Sequence, residues 1–444
     1  MKQGDHVQLI INKLGKHGEG IAHSEGLPIF VEHALPHEKI QAKIILVKKS
    51  YASAQLLRII SPNEKRVTPS CSHFETCGGC QIMHLSYDEQ LEQKHKLVKE
   101  ALKNTLATKD SFEIFPCLAS PQPFNYRNKI QLPVTQRAST IVSGFYKRGT
   151  HEVVPYDRCL VHHSIMERSA HNITQLIQNS MLRPYCESTQ TGSLRHFILR
   201  ANSKNEILVG LVTNGTESSH VRNLAQSIKT LLPNIVGVVE NINQRKQNTI
   251  LGEETNTLCG KPYLREEIDG LLFNTSLASF FQVNLHAAKI LYQIALNFAQ
   301  LTKNSIVLDA CCGIGTMTLL ASRLCKEVIG VECVPQAVVD AQENARINNI
   351  HNARFITAKI EDKTELFQGI DCALLNPPRK GLDQKVCQAL DTFGPKRLVY
   401  ISCNPHTLAR DAQLLTRYSL KKIQPVDMFP QTMHVESVAL FERI

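Results

Sequence analysis

Residues 305–332 read SIVLDACCGIGTMTLLASRLCKEVIGVE. Ser305–Asp309 is short, apolar and β-branched, which predicts a buried strand. It runs into Ala310-Cys311-Cys312-Gly313-Ile314-Gly315, and the apolar run beyond predicts a helix. Glycines there let the chain turn tightly and let a ligand approach the backbone. A second strand, EVIGVE, ends on Glu332, 23 residues past Asp309. A carboxylate in that place can accept hydrogen bonds from both hydroxyls of a ribose. A dinucleotide site asks for Gly-x-Gly-x-x-Gly or Ala, and here the last position is Thr318. The third small residue is missing, so the turn suits an adenosyl cofactor without a pyrophosphate.

Outward from this turn, helix and strand alternate. A helix is expected over Asn284–Leu301. After the turn come PQAVVDAQENARIN as helix, ARFITA and DCALLN as strands, LDQKVCQALD as helix and RLVYISC as strand, with LKKIQPVDMF and VESVALFER as the last strands. Such alternation predicts a doubly wound α/β sheet with ligands at the carboxyl ends of its strands. Upstream, strands such as LRHFILRA, EILVGLVTN and IVGVVENIN mix with helices predicted at Ser164–Met181 and His220–Leu232, an α+β pattern. The first sixty residues hold short strands punctuated by Gly15, Gly18, Gly20, Gly26 and Pro36, which suggests a small closed barrel. A helix with Leu91, Val98 and Leu102 on one side is expected over Tyr87–Leu106. The chain thus divides into a barrel (1–62), a central α+β unit (63–275) and a doubly wound unit (276–444).

The 444 residues are 43% hydrophobic and 20% charged, which excludes a largely disordered chain. No apolar run is long enough to span a membrane, and the N-terminal residues do not resemble a secretion signal, so a cytoplasmic protein is expected. Fifty Lys and Arg against forty Asp and Glu give a net charge of +10. Between Pro121 and Lys204 there are eleven basic residues and four acidic ones, with Phe124, Tyr126, Phe145, Tyr146 and Tyr156 among them. Cations attract phosphates and aromatic faces stack on bases, although a solvated basic face with core aromatics has the same composition.

Two groups of cysteines stand out among fourteen. Cys403 follows the strand Arg397–Ser402 and leads into a Pro-containing loop within SCNPHTLARD, which places a thiol at a cleft; a small apolar core residue is the alternative. Cys71, Cys77 and Cys80 have the spacing C-x5-C-x2-C around Gly78-Gly79. A closed site needs a fourth ligand, and thiolate spacing alone does not choose between zinc and iron–sulfur. His73 and His84 are close enough in sequence to serve zinc.

Further motifs then carry a resemblance. The D-A-C-C-G-I-G string with Glu332 resembles class I methyltransferases that bind S-adenosyl-L-methionine. Phe281-Gln282-Val283-Asn284, Asn376-Pro377-Pro378-Arg379-Lys380-Gly381, Ser402-Cys403-Asn404-Pro405, Phe429-Pro430 and His434-Val435-Glu436-Ser437 follow the order seen in RNA 5-methyluridine methyltransferases. The first sixty residues look like a TRAM domain, an RNA-binding barrel. The resemblance covers nearly the whole chain. It implies a Rossmann-like methyltransferase sheet at the C-terminus, a TRAM or OB-like barrel at the N-terminus, and action on RNA as a monomer. It implies Cys403 as nucleophile, Glu436 as base, and Gln282, Cys311, Gly313, Glu332 and Asn376 as cofactor-binding residues, with Arg379 on the substrate. It also implies Cys159 as the fourth ligand of a 4Fe–4S cluster with Cys71, Cys77 and Cys80. Barrel and cluster together point to 23S ribosomal RNA, with transfer RNA as the alternative. The family usually has an aromatic residue at Cys311, Asp at Asn376 and His at Gln431.

The implied chemistry explains the residue types. Carbon 5 of uracil is a poor nucleophile. A thiolate added to carbon 6 makes the ring an enolate, carbon 5 then takes the methyl group, and a base removes the carbon-5 proton so that the thiolate can leave. Arg379 or Arg410 is expected to favour the thiolate. A paired uracil hides both carbons, so the base must be flipped out. Two other readings compete. A radical methylthiotransferase also joins such a barrel to an iron–sulfur site, but its C-x3-C-x2-C triad is absent. An RNA-binding protein with a degenerate methyltransferase domain would explain Asn376 and Cys311.

Overall fold

The computed structural model describes residues 1–106, 112–155, 157–215, 218–246 and 249–444; Tyr156 lies outside them. The N-terminal barrel is built from β1 (His6–Ile10), β2 (Lys13–Leu14), β3 (Gly20–Ser24), β4 (Leu27–Val31), β5 (Lys39–Val47) and β6 (Ala52–Ser61), in the order β1-β5-β6-β4-β3-β2. Alternation along β5 puts Ile40, Ala42 and Ile44 inside with Ile29 and Val31. The helix α1 (Tyr87–Leu106) follows the cysteine segment, and the short strand β7 (Glu113–Ile114) comes next.

The central unit comprises β8 (Lys129–Arg137), β9 (Thr140–Tyr146), β10 (Val153–Pro155), α2 (Ser164–Gln178), β11 (Leu194–Ala201), β12 (Ile207–Thr213), α3 (Ser218–Leu231), β13 (Ile235–Ile242) and β14 (Glu254–Gly260). Its sheet runs β10-β9-β8-β11-β12-β13-β14. Every residue of β11 and β12 is buried, so these strands are covered on both faces; β12 is almost wholly apolar, while β11 also buries Arg195, His196 and Arg200. The hairpin β15 (Tyr263–Ile268) and β16 (Leu271–Ser276) leads into the last unit.

That unit holds α4 (Leu285–Ala299), β17 (Ile306–Ala310), α5 (Thr316–Ser322), β18 (Glu327–Glu332), α6 (Pro335–Ile347), β19 (Ala353–Thr357), β20 (Cys372–Leu375), α7 (Gln384–Phe393), β21 (Arg397–Ser402), α8 (Pro405–Leu414), β22 (Tyr418–Val426) and β23 (Glu436–Arg443). The sheet order is β19-β18-β17-β20-β21-β23-β22-β7. Strands β19 to β21 are parallel, and β23 runs antiparallel between β21 and β22. This is the doubly wound α/β architecture.

Two features depart from the sequence reading. The segment after Cys403 is a helix, α8, rather than a loop: Pro405 occupies its first turn, where a missing N–H costs nothing, and Asn404 caps it by accepting from the His406 N–H. The strand β7, too short to show a pattern, joins the outer edge of this sheet beside β22.

Candidate active site

Strand order reverses between β17 and β20, and the crevice beyond their carboxyl ends is where open α/β sheets take ligands. Ala310 and Leu375 are paired in that ladder, so Cys311 and Asn376 emerge side by side, and the Asn376 N–H donates to the Ala310 carbonyl at 3.3 Å. They line one cavity with Phe281, Gln282, Tyr292 and Gly313. Cys311 has a φ of +65°, a left-handed conformation costly for a residue with a Cβ. Burial pushes its thiol up to about 12. Gly313 has a φ of +56°, and its N–H donates to Glu332 Oε2 at 3.0 Å while Glu332 Oε1 accepts from the Val334 N–H at 2.9 Å. The carboxylate singled out in the sequence therefore grips the turn itself.

Thr318, the residue that breaks the dinucleotide pattern, donates its hydroxyl to Asp309 at 2.6 Å inside the core. Burial still raises the Asp309 carboxyl to about 7. Helix α4 begins with Asn284, whose side chain accepts from the Ala287 N–H and donates to Ser120 and Met428. This fixes the loop that carries Gln282 into the cavity.

Cys403 lies one step past the last β21–β23 pair, Ser402–Ser437, and so stands beside Glu436. The thiol is half-buried and the carboxyl is 6% exposed. Burial raises the Glu436 carboxyl to about 7, against a smaller pull from Arg379. Burial, then the Glu436 charge, push the Cys403 thiol up, while Arg379 pulls it down. Burial thus favours the neutral thiol at rest, and Arg379 is the cation that favours the thiolate. Arg410 does not help: it bonds Asp411 and the carbonyls of Lys380 and Leu382. Arg379 Nη2 lies 3.4 Å and 3.5 Å from the two ring nitrogens of His434. Burial and the surrounding cations lower His434 to about 4, so the imidazole is neutral. Tyr292 lines the cofactor-type cavity, and burial, then the charges of Glu436 and Asp309, push its hydroxyl up.

The sequence did not disclose how the 427–436 segment is held. Val426 pairs with Glu436, and the next residue, Asp427, forms a fully buried ion pair with Lys94 of α1 at 2.5 Å. Asp427 also accepts from the Tyr87 hydroxyl at 3.0 Å and the Phe429 N–H at 3.1 Å. The carbonyl of Gln431 accepts from the N–H groups of Gln81 and Ile82, its side-chain oxygen accepts from the Gln90 amide, and its backbone N–H donates to the Gln90 side-chain oxygen. A buried pair with its remaining valences satisfied holds one geometry firmly, whatever its net contribution to stability. Lysine on an amphipathic helix is ordinarily solvated, so no local signal marks Lys94.

The thiols of Cys71, Cys77, Cys80 and Cys159 are free and act on one another: burial raises Cys80 first, followed by Cys159, Cys77 and Cys71. Burial raises Cys159 to about 12. Soft, desolvated thiols in one place suit zinc or an iron–sulfur cluster. They do not close into a ligand set: among the described residues no group of three or more His, Cys, Asp or Glu stands at metal-holding geometry. His73 pairs with Asp157 at 2.9 Å, and His84 packs against Phe74 and His33. No helix among the described residues is long and apolar enough to cross a membrane.

Residues 86–444 match the tRNA (Uracil-5-)-methyltransferase family model, and residues 1–57 match the TRAM domain. An uncharacterized RNA methyltransferase of Halalkalibacterium halodurans is 38% identical over 449 residues, covering 100% of this chain and 98% of that protein. One from Staphylococcus epidermidis is 41% identical over 440 residues, covering 96% and 95%. The crystal structure of Pyrococcus abyssi tRNA (uracil-54, C5)-methyltransferase with S-adenosyl-L-homocysteine superposes with a TM-score of 0.79 at 27% identity, covering 98% of this chain and 100% of that one. With its doubly wound sheet and N-terminal TRAM domain, the chain belongs to the S-adenosylmethionine-dependent RNA uracil-5-methyltransferase family.

Proposed function

We propose that this enzyme makes 5-methyluridine in RNA through a thiolate adduct of Cys403 at uracil carbon 6, with Glu436 as the base. The observation that carries the reading is the juxtaposition of Cys403 and Glu436 at adjacent strand ends, with Tyr292, on which the Glu436 charge acts, lining the cavity together with Gln282 and Asn376. The Cys403 thiol gives its proton to water and its sulfur adds to carbon 6, the ring's π pair moving into the enolate; carbon 5 then takes the methyl group as the carbon–sulfonium bond breaks, releasing S-adenosylhomocysteine. The carbon-5 proton passes to Glu436, and sulfur departs with the bonding pair. Arg379 opposes the burial penalty on both groups. Gln282, Cys311, Gly313, Glu332 and Asn376 hold the cofactor in this reading. A carboxyl near 7 has the basicity a proton acceptor needs at neutral pH.

The substrate proposed is 23S ribosomal RNA, met as a monomer in the cytoplasm. Transfer RNA is the second reading, favoured by the transfer RNA activity of the Pyrococcus abyssi neighbour. Mass spectrometry of ribosomal and transfer RNA from cells with and without the gene separates them. One 5-methyluridine is expected to vanish from the 23S digest on deletion. Loss from transfer RNA instead establishes the second reading, and no loss from either sinks the proposal.

Cys71, Cys77, Cys80 and Cys159 are proposed to close around a 4Fe–4S cluster, since ligands commonly reach their final geometry only with the metal. The methyl transfer needs no electron, so its role is to brace the central unit. Anaerobic purification is expected to yield about four irons and four sulfides per chain by the cluster's stoichiometry. About one zinc with no sulfide identifies a zinc site, and neither metal refutes both.

A further inference from the structure

Lys129 and Arg200 are direct partners across the antiparallel β8–β11 ladder. Such residues project from the same face with Cβ atoms about 5 Å apart, where like charges repel. Arg200 is 3% exposed and Lys129 is partly buried. Among the described residues neither forms an ion pair, and the Arg200 guanidinium donates to the Ser276 carbonyl. Arg127 adds a third cation and donates Nε to the Lys129 carbonyl at 3.0 Å. The acid that acts on Arg200 is Asp340 of α6, whose carboxylate already accepts from Ser279 and Gln336. Burial, then Arg200 and Arg127, lower the Lys129 ammonium to about 7. A buried cation pair without a matching anion is a costly arrangement for a fold to keep.

Its position is informative. Asn128, between Arg127 and Lys129, donates its side-chain amide to the Gln282 carbonyl at 3.1 Å and its N–H to the Val283 carbonyl at 2.9 Å. With Arg200 on Ser276, the pair flanks the 276–284 loop, which carries Gln282 into the cofactor-type cavity and presents Phe280, 69% exposed.

We propose that Lys129 and Arg200 form a subsite for one backbone phosphate of the substrate RNA, near the nucleotide to be methylated. The subsite rests on the RNA-methylation reading given above. The phosphate supplies the missing negative charge and accepts hydrogen bonds from both side chains, as Lys and Arg ordinarily hold phosphates. Lys129 must be charged to do so, and it carries its proton only part of the time at neutral pH. Binding RNA therefore takes up a proton. The charged groups facing Lys129 are Arg200 on β11 and Arg127 just before β8, with Asp340 acting through Arg200.

The test is filter binding of the full chain to unmodified 23S and transfer RNA transcripts between pH 6 and 8 and over a salt series. Wild-type affinity is expected to fall about tenfold from pH 6 to 8, the change for one group that titrates near 7. Lys129→Arg keeps its charge, so it is expected to bind about tenfold tighter than wild type at pH 8 and equally at pH 6. Lys129→Met is expected to bind about tenfold more weakly at pH 6, with the slope of log K against log salt reduced by about one. Binding of S-adenosylhomocysteine reports that each variant is folded; should Lys129→Met fail that control, Lys129→Arg decides. Wild-type pH profiles and salt slopes in the folded variants overturn the subsite. Proton-linked RNA binding without methyl incorporation into any RNA would instead sink the methylation reading and leave the subsite standing.

Discussion

Cys403→Ala is expected to lose turnover by roughly 10⁴-fold or more, the usual scale for removing a nucleophile. Its affinity for S-adenosylhomocysteine is expected to stay within about twofold. The asymmetry follows from the geometry. The thiol stands at the end of β21 beside Glu436, while the cavity lined by Gln282, Cys311 and Asn376 belongs to β17, β20 and the loop before α4. Alanine removes one half-buried sulfur and leaves the Asn404 cap of α8 in place. Methyl transfer to RNA and calorimetric titration with the product cofactor measure the two quantities separately. Retained activity refutes the thiol mechanism, and a parallel loss of cofactor binding shows that Cys403 supports the cavity.

Glu436→Gln is expected to trap the methylated adduct. Glutamine is nearly isosteric with glutamic acid but cannot take the carbon-5 proton, so sulfur cannot be expelled. A protein–RNA band that resists denaturation should accumulate to about one per chain under the proposed mechanism. In the wild type, adduct release should slow as pH falls. Glu436 titrates near 7, the ionised form is the base, and below 7 its fraction drops about tenfold per unit. Quench experiments across pH 5.5–8 read both effects. Free turnover of the variant without a gel shift assigns the proton to another group.

The thiol's ionisation could not be judged from the motif. Sequence proximity suggested help from Arg379 or Arg410. In the fold, Arg410 turns to Asp411 and two carbonyls, and Arg379 is the cation that acts on both Cys403 and Glu436. Burial outweighs Arg379 at both groups, and the Glu436 charge adds to the rise at Cys403. Glu436 was likewise unremarkable from its chain position, because the depth of a residue in a sheet depends on which strands flank it. Here β21 and β22 enclose it on both sides.

Local pattern was enough for α1, for the strands of the doubly wound sheet and for the turn at Gly313, because each expresses a short-range rule: apolar periodicity, β-branching, or glycine where a tight turn is needed. The same rules misread the residues after Cys403, where a proline suggested a loop although proline is welcome in a first helical turn.

By itself the sequence determined the doubly wound architecture and the order of the motifs on it. These follow from interactions among residues a few positions apart, together with recurring residue types. Only the tertiary structure decided the electrostatics: the Lys94–Asp427 pair that pins the loop before Glu436, the proton held near 7 on Glu436, and the cations of Lys129 and Arg200 set face to face. Charge energies depend on distance through space and on the water excluded around each group. Residues hundreds of positions apart meet only when strands and helices pack, so neither quantity is written in any local stretch of chain.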